Sequence, residues 1–385
     1  MSLGAVGWAG SADILVEPPS VDSERGPVIV QRIAVLALLF VVAAACSGGS
    51  SSPVTATSRA AGTTSLPLET TTSIARSTST VSRPVVLSVE PVSHVEFGPV
   101  EHVAVDRGVV WVATSYPGNV LALNPDSLAT EGTFPVTTGA ILALAASGGM
   151  AFASDFDRQQ MVTLSTADPE ASRINLPVQM GIAASADRVW VACCGPDGGP
   201  NDGPDAAESE LYPRGLVTGI SVESEQIEIS VAFDWPQALA YAYEHLWVLS
   251  ILGTLSKADP TDLAVVDSVV LDDVVLDVAA GGGAIWVAGQ RTLYAFDPAT
   301  LALVTSTEIP GDWYGQIRGL TGDDRLLVAV LTEADRVVVV DAVTGQRIAI
   351  YELPTPTDAA LDNGILWVVS RDGSIYRIET AELRD

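Results

Sequence analysis

The residues of this chain able to do chemistry are few, and their spacing narrows what that chemistry can be. His94, His102 and His245 are its three histidines, and they are not spaced as a metal cluster. No G-x-S-x-G motif, phosphate-binding glycine loop or paired-carboxylate signature accompanies them. Cys193 and Cys194 are adjacent. Adjacent cysteines can close only a strained ring, so a vicinal disulfide stands beside two alternatives, a pair of buried thiols and pairing between chains. Directly after them, the run from Gly195 to Arg214 carries Asp197, Asn201, Asp202 and Asp205. These side chains offer oxygens to calcium but lack the spacing and closing Glu of an EF-hand, so the run reads as a solvated loop and no cofactor is expected.

Composition sets the class of partner. The chain has 47 Asp and Glu against 19 Lys and Arg, a formal charge of −28. A nucleic acid is excluded as partner, because phosphate recognition needs a basic footprint. Hydrophobic residues make up 48% and charged residues 17%, enough to bury a core and too apolar for an acidic disordered chain.

The elements that position these residues begin with an address. Ile33 to Ala45 is an unbroken apolar run after Arg32. It spans only about 20 Å as a helix, short of a hydrocarbon core about 30 Å thick, so it reads as a secretory signal and not as a membrane span. Ala43, Ala44 and Ala45 before Cys46 resemble a bacterial lipobox, although Ala43 stands where Leu is usual. That resemblance implies acylation of Cys46 and attachment to the outer face of the cell membrane; a plain signal peptide cut nearby is the alternative. Residues 1–29 carry Asp13, Glu17, Asp22 and Glu24, and no Met lies between Met1 and Met150. Residues 1–46 are therefore read as an over-extended start, with the true one near Val28 or Val30, followed by the signal. Residues 47–84 hold 19 Ser or Thr in 38 positions and no aromatic residue. They form a tether with a reach on the order of 35 Å.

From residue 85 to 385 one pattern recurs. A turn leads into a short strand centred on Trp111, Phe152, Trp190, Trp247, Trp286, Leu327 and Trp367, at spacings of 41, 38, 57, 39, 41 and 40 residues. A strand such as His102 to Val105 precedes each, an alternating strand such as Leu293 to Phe296 follows, and then comes a turn such as Asp297-Pro298-Ala299-Thr300. Seven units of about 40 residues predict an all-β, seven-bladed propeller of four-stranded blades. The last unit ends too early for a fourth strand, and residues 86–97 hold a spare one. The N-terminal segment is thus expected to close the ring as the outer strand of the last blade. The recurring tryptophans read as packing between blades.

This architecture gathers candidates at the inner-strand entrances, on the face that also carries the long insertion of the third blade. They are Glu101, His102, Gln179, Trp235, Gln237, Asp272, Asp273, Trp313, Tyr314, Gln316, Arg318 and Asp358. Trp235 and Trp313 stand outside the shared packing position. Aromatic platforms beside amides and carboxylates suit a polar ligand such as a sugar or peptide; a rim that only satisfies its own loops is the alternative.

The Trp-centred repeat and the turn from Asp341 to Gly345 resemble the bacterial YVTN-type, NHL-type and quinoprotein-like propellers. The resemblance implies the fold and says little about activity. Streptogramin-lyase propellers are similar too and imply a metal-assisted lyase or hydrolase, but no paired histidines stand in the inner strands to carry it over. The Trp expected shortly after Gly345 in quinoprotein dehydrogenases is absent. The expectation is a monomeric binding or scaffold module, held at the membrane by its lipid, for a protein, peptide or envelope polysaccharide.

Overall fold

The computed structural model describes residues 84–94, 98–168, 170–177, 179–194, 215–309 and 317–383. Seven antiparallel sheets follow one another along the chain. Their inner strands, blade 1 to blade 7, are Val100–Asp106, Leu144–Ser147, Gln179–Ala184, Pro236–Ala242, Val275–Gly281, Ile317–Gly322 and Pro356–Asp362. Each inner strand packs against the next, and that of blade 7 packs against that of blade 1, so the ring is closed. The molecule is an all-β seven-bladed propeller.

Local chemistry sets the hairpins between the third and outer strands. Asn124, Asp297 and Asp341 each accept, on Oδ1, the N–H groups two and three residues ahead, at 2.7–3.1 Å. These Asx turns hold the backbone while Leu128, Leu263, Leu301 or Gly345 takes positive φ to re-enter the sheet. Leu263 and Leu301 tolerate that conformation because their side chains are locked in the core.

The five repeat tryptophans are at most 2% exposed. Trp111, Trp190, Trp247, Trp286 and Trp367 each face Ala on the inner strand of their own blade and pack against the next blade. A large flat ring opposite a small residue fills the wedge between twisted sheets. Each buries roughly 150–250 Å², on the order of 4–6 kcal/mol of transfer free energy.

Blade 6 corrects the sequence alignment by one residue. Val328, not Leu327, stands in the tryptophan slot: it pairs with Thr321 and faces blade 7, whereas Leu327 faces blade 5. Spacing along the chain could not separate two neighbouring apolar residues, but strand alternation assigns them to opposite faces. Tyr351 and Tyr376 share the cluster around Val328.

The N-terminal segment closes the ring as expected. Ser93–His94 pairs antiparallel with Ser374–Glu379 and completes blade 7. A second pairing was not foreseen. Val85–Ser88 adds in parallel to the outer strand of blade 6, Arg347–Glu352, giving that blade a fifth strand.

Candidate functional site

Six of the seven inner strands start with the same irregularity. The register slips at the second residue, leaving Glu101, Met180, Gln237, Leu276, Arg318 and Thr357 as bulge residues around one mouth of the ring. The third positions, blade 1 to blade 7, are His102, Ala143, Gly181, Ala238, Asp277, Gly319 and Asp358. Their titratable members lie on one continuous arc across blades 5, 6, 7 and 1, interrupted only by Gly319.

The two carboxylates of the arc are built alike. Each Oδ1 accepts the N–H of the residue that follows, at 2.8 Å. Each Oδ2 reaches the next blade: Asp277 accepts from Leu320 N–H at 2.8 Å, and Asp358 from Val103 N–H at 3.1 Å. Asp358 also lies 3.4 Å from His102 Nδ1, with the two side chains 18% and 26% exposed. Gly319 makes room for this arrangement, because a Cβ there would fall inside contact distance of Asp358 Oδ1.

Proximity shifts the titration of the arc. Desolvation pushes the Asp277 carboxyl up to about 7; the Asp358 charge adds to the rise, while two backbone N–H bonds and His102 oppose it. Desolvation acts against the His102 imidazolium, but the hydrogen bond and charge of Asp358, the charge of Glu101 and the Ile141 carbonyl outweigh it. The His102 pKa stands above 6.5.

The structure joins some sequence candidates and separates others. Glu101, His102 and Asp358 meet at the joint of blades 7 and 1. Gln237 commits its amide to the next blade, donating to the Val275 carbonyl at 2.8 Å and to that of Leu276 at 3.3 Å. Arg318 and Asp272 are exposed, and Asp273 accepts from the Tyr294 hydroxyl at 3.0 Å. Trp235 is half-buried with φ of 48°, immediately before the inner strand of blade 4. Gln179 is 1% exposed; it donates to the Leu176 carbonyl at 3.4 Å, and its Oε1 has no hydrogen-bond partner among the described residues. Trp313, Tyr314, Gln316, Cys46 and the oxygen-rich run from 195 to 214 lie outside the described residues.

Cys193 is buried between blades 2 and 3, with Sγ 3.8 Å from the Val191 carbonyl. It pairs with Gln179, and the backbone of Cys194 pairs with Gly215. Both ends of the insertion thus stand at the mouth that carries the arc. Asp277 was missed by the sequence analysis, which looked at the loop residues Asp272 and Asp273. Stacking the seven inner strands in register would have found it in the column of His102 and Asp358.

Among the described residues, no three His, Cys, Asp or Glu side chains are placed to hold a metal ion. Fold and site define a seven-bladed β-propeller with a polar arc and a long insertion at one mouth. No protein-family model matches the chain, and no curated protein matches it.

Proposed function

We propose that this chain is a membrane-tethered, extracytoplasmic binding module of the YVTN, NHL and quinoprotein-like kind, which presents its insertion-bearing face to a protein, peptide or envelope ligand. The fold in general terms fits a binding or scaffold module. The observation that carries the reading is the concentration of polar groups at one mouth: Asp277, Asp358 and His102 on the arc, the bulge residues Glu101 and Arg318, and the orphan acceptor of Gln179 where the insertion begins. An acidic arc at this mouth favours a ligand that brings N–H donors or a positive charge. The lipobox-like Ala43, Ala44 and Ala45 before Cys46 support acylation there and placement at the membrane surface, with residues 47–84 as the spacer.

Crosslinking with affinity capture from intact cells tests the reading. Wild type should retain a partner that is lost on deleting residues 198–208 and weakened by Asp358→Asn. Equal recovery by all three proteins would refute recognition through this face. Cys46→Ser should move the protein from the membrane fraction to the supernatant. Stoichiometric, chelator-removable metal in purified protein would instead favour the metal-assisted lyase reading.

A further inference from the structure

The parallel strand on blade 6 shows what the outer edge of a blade in this protein accepts. Val85–Ser88 is an extended apolar segment, and it pairs with the four residues from Ala349 to Glu352, just beyond a bulge in the outer strand. The same bulge recurs in blades 1, 3, 4 and 5; in blade 4 the corresponding four residues are Asp267 to Val270. Among the described residues, that edge carries no added strand.

The blade 4 edge is also largely apolar, with Asp267 as the one charge in its outer strand. Its outer strand Val265–Val270 exposes Val265, Val266 and Val270 at 53%, 59% and 73%. Edge strands of soluble proteins are ordinarily blunted by proline, charge or shortness. Blade 1 has Pro135 and Glu131 in its outer strand, and blade 2 has only the four residues Ser172–Asn175, with Arg173. Blade 3 carries the ion pair of Glu228 with Arg188, and blade 5 ends in Glu308 beside Arg291. Blade 6 is covered, and the outer strand of blade 7 is Ser93–His94.

Charge selects the occupant. Between Lys257, which is buried against the Pro298 carbonyl, and Arg291 the chain has no basic residue. Asp259 and Asp262 lie before the blade 4 outer strand, Asp267 within it, and Asp272 and Asp273 after it. An added strand would run between Asp259 and Asp262 at one end, where Arg188 donates to the Pro260 carbonyl, and Asp272 and Asp273 at the other, so carboxylates outnumber cations there. A second copy would set acid against acid, whereas an extended apolar segment flanked by Lys or Arg would be neutralised.

We propose that the outer edge of blade 4 is a docking site for an extended apolar peptide with basic flanks, which adds to the sheet as a fifth strand in the way Val85–Ser88 does on blade 6. The site is distinct from the arc-bearing mouth and independent of it.

A labelled synthetic peptide of residues 85–89 with two lysines at each end is the probe, and fluorescence anisotropy the readout. Saturable binding is expected. It should weaken at least tenfold with glutamate flanks or with Val270→Lys, and it should survive deletion of 198–208. Val304→Lys, which adds the same charge to the exposed edge of blade 5, should leave binding within twofold of wild type. Both lysine variants alter exposed side chains, and unchanged thermal unfolding confirms their fold. Absence of saturable binding, equal affinity for Val270→Lys, or equal loss in both lysine variants overturns the proposal. So does a wild-type dimer that Val270→Lys converts to monomer, which would assign the edge to a second copy.

Discussion

Asp358 Oδ2 lies 3.4 Å from His102 Nδ1, although 256 residues separate the two in the chain. The pair sits on the joint where the last blade meets the first. The same oxygen accepts the Val103 N–H, and Thr357 Oγ1 donates to the Val100 carbonyl at 2.9 Å, so ring closure has a polar latch beside its apolar core.

Removing the latch should loosen the joint. Asp358→Ala is expected to cost about 2 kcal/mol, because two backbone donors lose a charged acceptor. His102→Ala should cost under about 1 kcal/mol, given its partial exposure. A double-mutant cycle in urea should return coupling of roughly 0.5–1 kcal/mol between them. Strict additivity would mean that the contact stabilises nothing.

The pH dependence has a definite sign. Asp277 has its folded pKa raised from 3.8 to about 7, so the folded state holds an extra proton between those values and stability falls as pH rises through that window. His102, also raised, acts in the same direction: its contribution is complete below 6.5 and lost as pH passes its folded value. Asp155 acts oppositely. Burial works against its charge, but bonds from Arg158 and Thr137 hold its pKa below 3.8, and its contribution is lost as pH falls through the folded value. Maximal stability is therefore expected in mild acid. The melting temperature should drop from pH 5 to pH 8, and Asp277→Asn should flatten the part of that slope below about pH 7. A melting temperature that rises over this range would contradict the assignment.

Gly319 is predicted to be irreplaceable for steric reasons. Gly319→Ala should destabilise by about 1–3 kcal/mol, since the added methyl displaces the Asp358 carboxylate. In an Asp358→Gly background, which has already lost the latch, the same Gly319→Ala change should cost much less, and urea titration of the four proteins of that cycle can measure the difference.

The tryptophan slot offers a graded comparison. Trp286→Ala should cost about 3–5 kcal/mol, against roughly 1–2 kcal/mol for Val328→Ala at the same position of blade 6. Val328→Trp should destabilise as well, because Tyr351 and Tyr376 are already packed in the cluster around Val328. A stabilised Val328→Trp protein would show that the slot has room for an indole.

Truncation separates the two N-terminal strands. Deleting residues through Ser88 uncovers blade 6 but leaves Ser93–His94 on blade 7. Deleting through Gly98 opens the last blade, and its melting temperature should fall by several degrees more. Identical melting of the two forms would show that Ser93–His94 contributes nothing to closure.

Blade number, the hairpins at Asn124, Asp297 and Asp341, burial of the tryptophans and N-terminal closure were all legible in the linear chain. Each rests on a local signal repeated at constant spacing: a turn residue that bonds its own backbone, or an aromatic residue that only an inter-blade wedge can hold. The parallel pairing of Val85–Ser88 left no such trace, because a parallel edge contact has neither a hairpin turn nor a fixed loop length. The exchange of Leu327 for Val328 and the joining of Asp277, Gly319, Asp358 and His102 into one arc were likewise hidden. They depend on which residues of separate blades face one another, and register with curvature around the ring, not spacing along the chain, decides that.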